Sequence, residues 1–322
     1  MQIRRRKFQT THATPRSNII TTQMKHIIYL LIVIFLSNCS QFIITEKPSQ
    51  TLLIAHKGVW KDGVFPANTP KAFDEALKRG FDGFELDAIL TADNHFIVVH
   101  DDDLSQTTNC KGFASNLQAS ELTKCSSRKN SILPVTTLVI TKTQNRSKVA
   151  FLTEIFEIYL PKKELKKIVI DIKSTDQERT ILALKKSLPS HISQKYGHKI
   201  IFIGKSTSML NKIKTTFPKS LTALEGEWGS EPVIDHKHYL NPRTHDFVSL
   251  NAELMFGHTK VEKNLFGRKK RNRKYLETYF NAARKANMKT IAWTINNKKN
   301  YHYLISKKVE IILTDLNLVI SK

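Results

Sequence analysis

The sequence predicts an α/β fold, a (β/α)8 or TIM barrel, on three observations. Short apolar β-like runs alternate with amphipathic helical stretches along most of the chain, the pattern of a parallel sheet with covered faces. Eight or so such units fit in roughly 270 residues, the size of one barrel. The residues with chemistry stand at the C-terminal ends of runs, where such barrels carry their sites.

At the N-terminus, residues 1–23 are polar and unpatterned, and Met24 is a candidate start. Lys25-His26 precede the uninterrupted apolar run 27–36. Ten residues fall short of the ~20 that span a bilayer and fit the core of a secretory signal. Leu36-Ser37-Asn38-Cys39 comes next and resembles the lipobox of bacterial lipoproteins, which makes Cys39 the expected lipidated residue. Asn38 departs from the usual Gly or Ala, and the alternative reading is an uncleaved N-terminal anchor. Residues 1–38 are therefore read as extension and signal, 39–50 as a polar tether, and 51–322 as the barrel. Ser40 resembles the outer-membrane sorting pattern of a Gram-negative envelope. The expected location is the bacterial cell envelope, lipid-anchored in the outer membrane and facing the periplasm.

The barrel region holds nine β-like runs: 52–56, 83–90, 96–100, 167–173, 199–204, 221–226, 246–251, 290–296 and 311–315. Helical stretches lie at 70–79, 175–188, 206–216, 273–287 and 298–307. In the first of these, Pro70 opens the helix and Gly80 closes it. Nine runs are one too many for the barrel. Runs 83–90 and 96–100 are too close for a parallel crossover, so they form an antiparallel hairpin. A turn centred between Ala92 and Asp93 sets Glu85 opposite His100 and Asp87 opposite Val98. Residues 104–150 are polar and lysine-rich, an inserted loop region over the barrel mouth. Export places Cys110 and Cys125 where disulfides persist, which pairs them.

Within 54–103, His56 and His100 end two apolar runs, and Glu85 and Asp87 lie two apart on a third. Residues i and i+2 of a strand share a face. Two carboxylates can then grip one hard cation with two imidazoles beside it, the equipment for metal-assisted acid–base hydrolysis of a phosphate ester. Taken singly, each histidine is more often structural or solvated. His236, His238 and His245 receive no role.

The chain carries 51 basic against 28 acidic residues, a formal charge of +23. Only six of the basic residues lie in 1–38, so the body is basic in its own right. That favours anionic partners. Residues 260–274 hold eight Lys or Arg, a solvated loop or a contact with an anionic membrane surface. Nucleic acid is not expected, because export argues against it and no aromatic-interleaved basic motif supports it.

These residues resemble the glycerophosphodiester phosphodiesterase family over nearly all of 52–320. The pieces are His56-Lys57-Gly58, Pro66-Ala67-Asn68-Thr69, Glu85-Leu86-Asp87 and His100-Asp101. Further along come Ile170-Asp171-Ile172-Lys173, Trp293-Thr294-Ile295-Asn296 and Leu313-Thr314-Asp315. The resemblance implies a barrel of the phospholipase-C-like phosphodiesterase type. It implies Glu85, Asp87 and Asp171 as ligands of a divalent metal, Ca²⁺ or Mg²⁺, with His56 and His100 as general acid and base. The products would be glycerol 3-phosphate and an alcohol. Lys57 stands where an arginine is expected to hold phosphate. Lys173, Asn68 and Trp293 are candidate substrate contacts, each with a structural reading beside it: an ion pair with Asp171, a turn former and barrel packing. Ala67 replaces a carboxylate, and Asp171 is one methylene shorter than the usual Glu. The expected partners are a small phosphodiester and, through the lipid anchor and basic surface, the membrane. Two alternatives remain open: a related phosphodiesterase acting on lysophospholipids, and a catalytically degenerate barrel binding anionic lipid.

Overall fold

The structure, a computed structural model, describes residues 42–44, 50–61, 64–128, 146–226, 240–252, 256, 273–316 and 318–320. The chain divides into two units, Met1–Phe42 and Ile43–Lys322, and the barrel belongs to the second. The expected signal, Cys39 and nearly all of the basic run 260–274 lie outside the described residues. Among the described residues no helix is long and apolar enough to cross a membrane.

Nine strands form one sheet: β1 (Leu52–Ala55), β2 (Gly83–Leu90), β3 (Phe96–Val98), β4 (Lys167–Ile172), β5 (Ile200–Gly204), β6 (Leu221–Glu225), β7 (Phe247–Asn251), β8 (Lys289–Ile295) and β9 (Ile311–Thr314). All except β3 pair in parallel in the order β1-β9-β8-β7-β6-β5-β4-β2, and β1 pairs with β2 to close the ring. The helices are α1 (Pro70–Lys78), α2 (Ala119–Leu122), α3 (Leu152–Tyr159), α4 (Gln177–Ser187), α5 (Ser190–Tyr196), α6 (Thr207–Thr216), α7 (Arg273–Lys285) and α8 (Lys298–Ser306). This is the expected (β/α)8 barrel.

Strand alternation builds two cores. Inward residues Ile54, Val169, Ile201, Ile203, Ala223, Phe247, Ile291, Ile311 and Leu313 fill the barrel, as the packed interior of such barrels requires. Outward residues meet the helices. Phe84 of β2 stacks on Phe73 of α1 with centroids 4.2 Å apart, and Tyr159 of α3 packs edge-on to both. Burying aromatic side chains of this size contributes about 2–3 kcal/mol each. Helix α1 begins as its sequence directs: the Thr69 hydroxyl accepts from the Ala72 N–H and Pro70 takes the first turn. Helix α3, which the sequence reading passed over, buries Leu152, Ile155, Phe156 and Tyr159, a full helical period.

The antiparallel hairpin is present, but its register differs by one from that expected. Ala88, not Asp87, faces Val98, and Leu90 faces Phe96. The loop holds three residues rather than two, because Asn94 takes a left-handed backbone (φ 60°) and Thr91 N–H donates to His95 O. Asn tolerates that conformation, so the turn centres on Asp93. Glu85 and His100 are therefore not cross-strand partners.

The insertion is more than a polar excursion. Leu104, Ala114, Leu122, Cys125 and Val149 form a satellite core with Ile89, Ile97 and Val99 of the hairpin. Cys110 and Cys125 are joined by a disulfide. Beside it runs a short antiparallel ladder: Asn109 N–H donates to Ser126 O, Thr108 bridges Ser127, and Arg128 N–H donates to Thr107 O at 2.7 Å.

Candidate active site

Parity along each strand assembles the site. An inward residue repeats every second position, so on five strands the last interior apolar side chain is followed two residues later by a residue of the C-terminal rim. His56 follows Ile54, Asp171 follows Val169, Glu225 follows Ala223, Trp293 follows Ile291 and Asp315 follows Leu313. Asp87 lies directly beside Asp171 in the β2–β4 register, with Glu85 one step below on the same face. A cavity of about 210 Å³ is lined by His56, Glu85, Asp87, His100, Asp171 and Lys173, with Glu225 and Trp293 on its wall.

The oxygens of Glu85, Asp87 and Asp171 lie within 4.8 Å of one another. Burial pushes the Glu85 carboxyl up to about 7, with Asp87 adding to the rise. For Asp87, burial acts upward too, but Lys173 and Lys57 outweigh it and hold the group near 2. Asp171 is raised by burial, which Lys173 only partly offsets. The Lys173 ammonium lies 3.0 Å from Asp87 Oδ1 and also pairs with Asp171; Lys57 Nζ lies 3.7 Å from Asp87 Oδ2. Three crowded carboxylates against two ammonium groups leave a deficit of positive charge, and an all-oxygen donor set suits a hard divalent cation. The residues fit the expected Ca²⁺ or Mg²⁺.

His56 is anchored on both sides. Its Nδ1 lies 2.8 Å from Asp315 Oδ1, and its Nε2 lies 3.9 Å from Glu85 Oε2. Burial works against its charged form, but Glu85 and Asp315 prevail and raise its pKa. The turn after it is forced: Lys57 has φ 58° and its N–H donates to Glu85 Oε2 at 2.9 Å. Gly58 follows at φ 75°, where a Cβ would lie 2.7 Å from the Ala72 backbone, so only glycine fits. Non-glycine residues in this region carry strain on the order of 1 kcal/mol and cluster at functional sites. His100 sits at the mouth, exposed, with Nδ1 2.8 Å from Asp101 Oδ1. Asn68, buried, binds Asp87 rather than pointing into the cavity.

Two residues escaped the sequence reading. Asp315 holds His56 and receives Trp60 Nε1 at 3.1 Å and Lys61 Nζ at 2.9 Å; these partners overcome burial and keep it near 2. Its signal was present in the Leu313-Thr314-Asp315 piece. Glu225 is 7% exposed, raised by burial and by Asp171, with Lys205 3.9 Å away. The inward parity of 221, 223 and 225 could have found it.

Fold and site together define a closed (β/α)8 barrel with a carboxylate cluster flanked by histidines at its C-terminal rim. The Glycerophosphoryl diester phosphodiesterase family matches residues 56–317, and the chain belongs to that family. A glycerophosphodiester phosphodiesterase of Caldanaerobacter subterraneus is 44% identical over 75 residues, 23% of this chain and 30% of that protein. One from Bacillus altitudinis is 44% identical over 72 residues, 22% of this chain and 29% of that protein. These matches thus span under a third of the curated relatives. Among solved structures, a glycerophosphodiester phosphodiesterase of Thermotoga maritima superposes with TM-score 0.57 at 19% identity, over 83% of this chain and 95% of that one. An Oleispira antarctica phosphodiesterase in complex with the product sn-glycerol-3-phosphate gives TM-score 0.62 at 18% identity, over 83% and 94%. These likenesses establish the shared fold.

Proposed function

We propose that this chain is a metal-dependent phosphodiesterase that hydrolyses glycerophosphodiesters to glycerol 3-phosphate and an alcohol. One observation carries the reading: His56 and His100 line the same cavity as Glu85, Asp87 and Asp171. Glu85, Asp87 and Asp171 would hold a divalent metal, Ca²⁺ or Mg²⁺, which supplies charge to polarise a phosphoryl oxygen and the neighbouring glycerol hydroxyl. The remaining steps belong to this chain's side chains. Asp315 accepts the Nδ1–H of His56 and leaves Nε2 as the acceptor, so His56 takes the proton of the glycerol hydroxyl. Its raised pKa makes it the stronger base. His100, held by Asp101, gives its proton to the departing alcohol. Attack by that hydroxyl closes a cyclic phosphate. Water then opens the ring, with the two histidines exchanging roles. Lys57 and Lys173 steady the phosphate as point charges, without the bidentate fork of an arginine.

The test is hydrolysis of glycerophosphocholine and glycerophosphoethanolamine by the purified protein, with Ca²⁺, Mg²⁺ or chelator. Chelator-sensitive release of alcohol, lost in His56→Ala and His100→Ala, supports the reading. Turnover untouched by either variant sinks it. The proposal extends to an envelope location through a lipid on Cys39, for which Cys39→Ser should free the protein from membranes.

A further inference from the structure

A second cavity, of about 70 Å³, lies beside His100. His100 lines both it and the cavity that holds the carboxylates. A diester with its phosphorus at the carboxylate end and its leaving oxygen at His100 would have this cavity beside its departing alcohol. Trp60 and Ala67 from the segment after β1 line it together with Thr107, Ser127 and Arg128 of the insertion.

The chemistry of the walls is one-sided. Arg128 and Lys57 bring positive charge, and Asp101, the one carboxylate in the lining among the described residues, is engaged by His100 at 2.8 Å. Position 67, where the resemblance leads one to expect an acidic residue, is alanine, which removes a negative charge and its bulk together. Thr107 Oγ1 is buried without a hydrogen-bond partner among the described residues, a group whose desolvation a ligand would offset. The wall is also tied to the rest of the insertion by backbone bonds. Arg128 N–H donates to Thr107 O, and the same ladder ends in the Cys110–Cys125 disulfide. Among the described residues a cationic head group would meet no aromatic cage: Trp60 is the one indole in the lining, and Lys61 Nζ already lies 5.8 Å from it.

We propose, on the hydrolase reading above, that this cavity receives the leaving alcohol and favours one bearing its own negative charge. Arg128 sets the preference. The probes are bis(glycerophospho)glycerol, whose leaving alcohol carries a second phosphodiester, and glycerophosphocholine, whose leaving alcohol is cationic. The kcat/KM ratio should favour the anionic substrate by about tenfold, the worth of one charge-assisted hydrogen bond, and Arg128→Glu should erase or invert it. Ala67→Glu should shift the ratio the same way. A wild-type preference for glycerophosphocholine, or a ratio indifferent to Arg128→Glu, overturns the inference. Calorimetric titration of bis(glycerophospho)glycerol into the chelated protein reads binding without turnover. There Arg128→Glu should weaken affinity about tenfold, and equal affinities reject the pocket. If no diester is hydrolysed at all, the hydrolase reading fails, and this titration still decides the pocket.

Discussion

Asn68 and Asp87 hold each other from both ends. The Asn68 side-chain amide donates to Asp87 Oδ2 at 2.8 Å, and the Asp87 backbone N–H donates back to Asn68 Oδ1 at 3.1 Å. This reciprocal pair turns the Asp87 carboxylate so that its other oxygen meets Lys173. Asn68 does so from a left-handed backbone (φ 59°), which asparagine accepts more readily than most residues.

Asn68→Ala should therefore destabilise the protein by about 3 kcal/mol, from two buried partners left unpaired and a strained backbone. Asn68→Gly keeps the same loss of bonds but relieves the backbone, and should recover about 1 kcal/mol of it. Urea unfolding of the two variants measures the difference. Equal midpoints would show that the backbone contributes nothing.

Replacing Asp315 with Asn leaves shape intact but removes the charge that orients His56. Turnover should fall by roughly 10²- to 10⁴-fold with KM nearly unchanged. The same substitution changes acid stability. The Asp315 pKa is depressed to about 2 in the folded state, so its contribution is complete above about pH 4 and drains away as pH falls toward 2. That contribution is about 2 kcal/mol. Thermal melts at pH 6 and pH 3 should show Asp315→Asn losing less across the interval than the wild type.

The Cys110–Cys125 bridge closes a separation of 15 residues, worth about 3 kcal/mol in chain-entropy terms. Cys110→Ser with Cys125→Ser should expose the segment around Thr107 and Arg128 to hydrogen exchange while the barrel strands keep their protection. Uniform loss of protection over β4 to β9 would mean that the bridge supports the whole domain.

Adding Ca²⁺ or Mg²⁺ should raise the melting temperature, since a ligand at a hundredfold excess over its Kd adds about 2.7 kcal/mol. Asp171→Glu, which restores the missing methylene, should tighten that affinity by about tenfold. A melting temperature blind to both ions, in wild type and variant alike, would argue against a metal at Glu85, Asp87 and Asp171.

Much of this architecture was legible in the residues. The alternation of runs gave every barrel strand, because strands buried on both faces read as continuous apolar segments. Spacing two apart gave the shared face of Glu85 and Asp87. What escaped depended on single dihedrals or long-range closure. The hairpin register turned on one left-handed asparagine, Asn94, which composition does not reveal. Asp315 stands 259 positions from His56, and only the closed ring brings them together. Helix α3 was different: its period was visible in Leu152, Ile155, Phe156 and Tyr159 and was obscured by the polar insertion before it.

The first and last barrel strands lie side by side, Ile54 beside Leu313 and Ala55 beside Thr314, and His56 and Asp315 are the next residues on each. The proposed proton acceptor is thus a product of ring completion. His56, Glu85, Asp87 and His100 all lie on or just past the first three strands, yet the aspartate that orients the imidazole arrives only with the end of β9, 259 positions after His56. A barrel left open between β1 and β9 would keep its carboxylates and both histidines but lose the group that orients one of them.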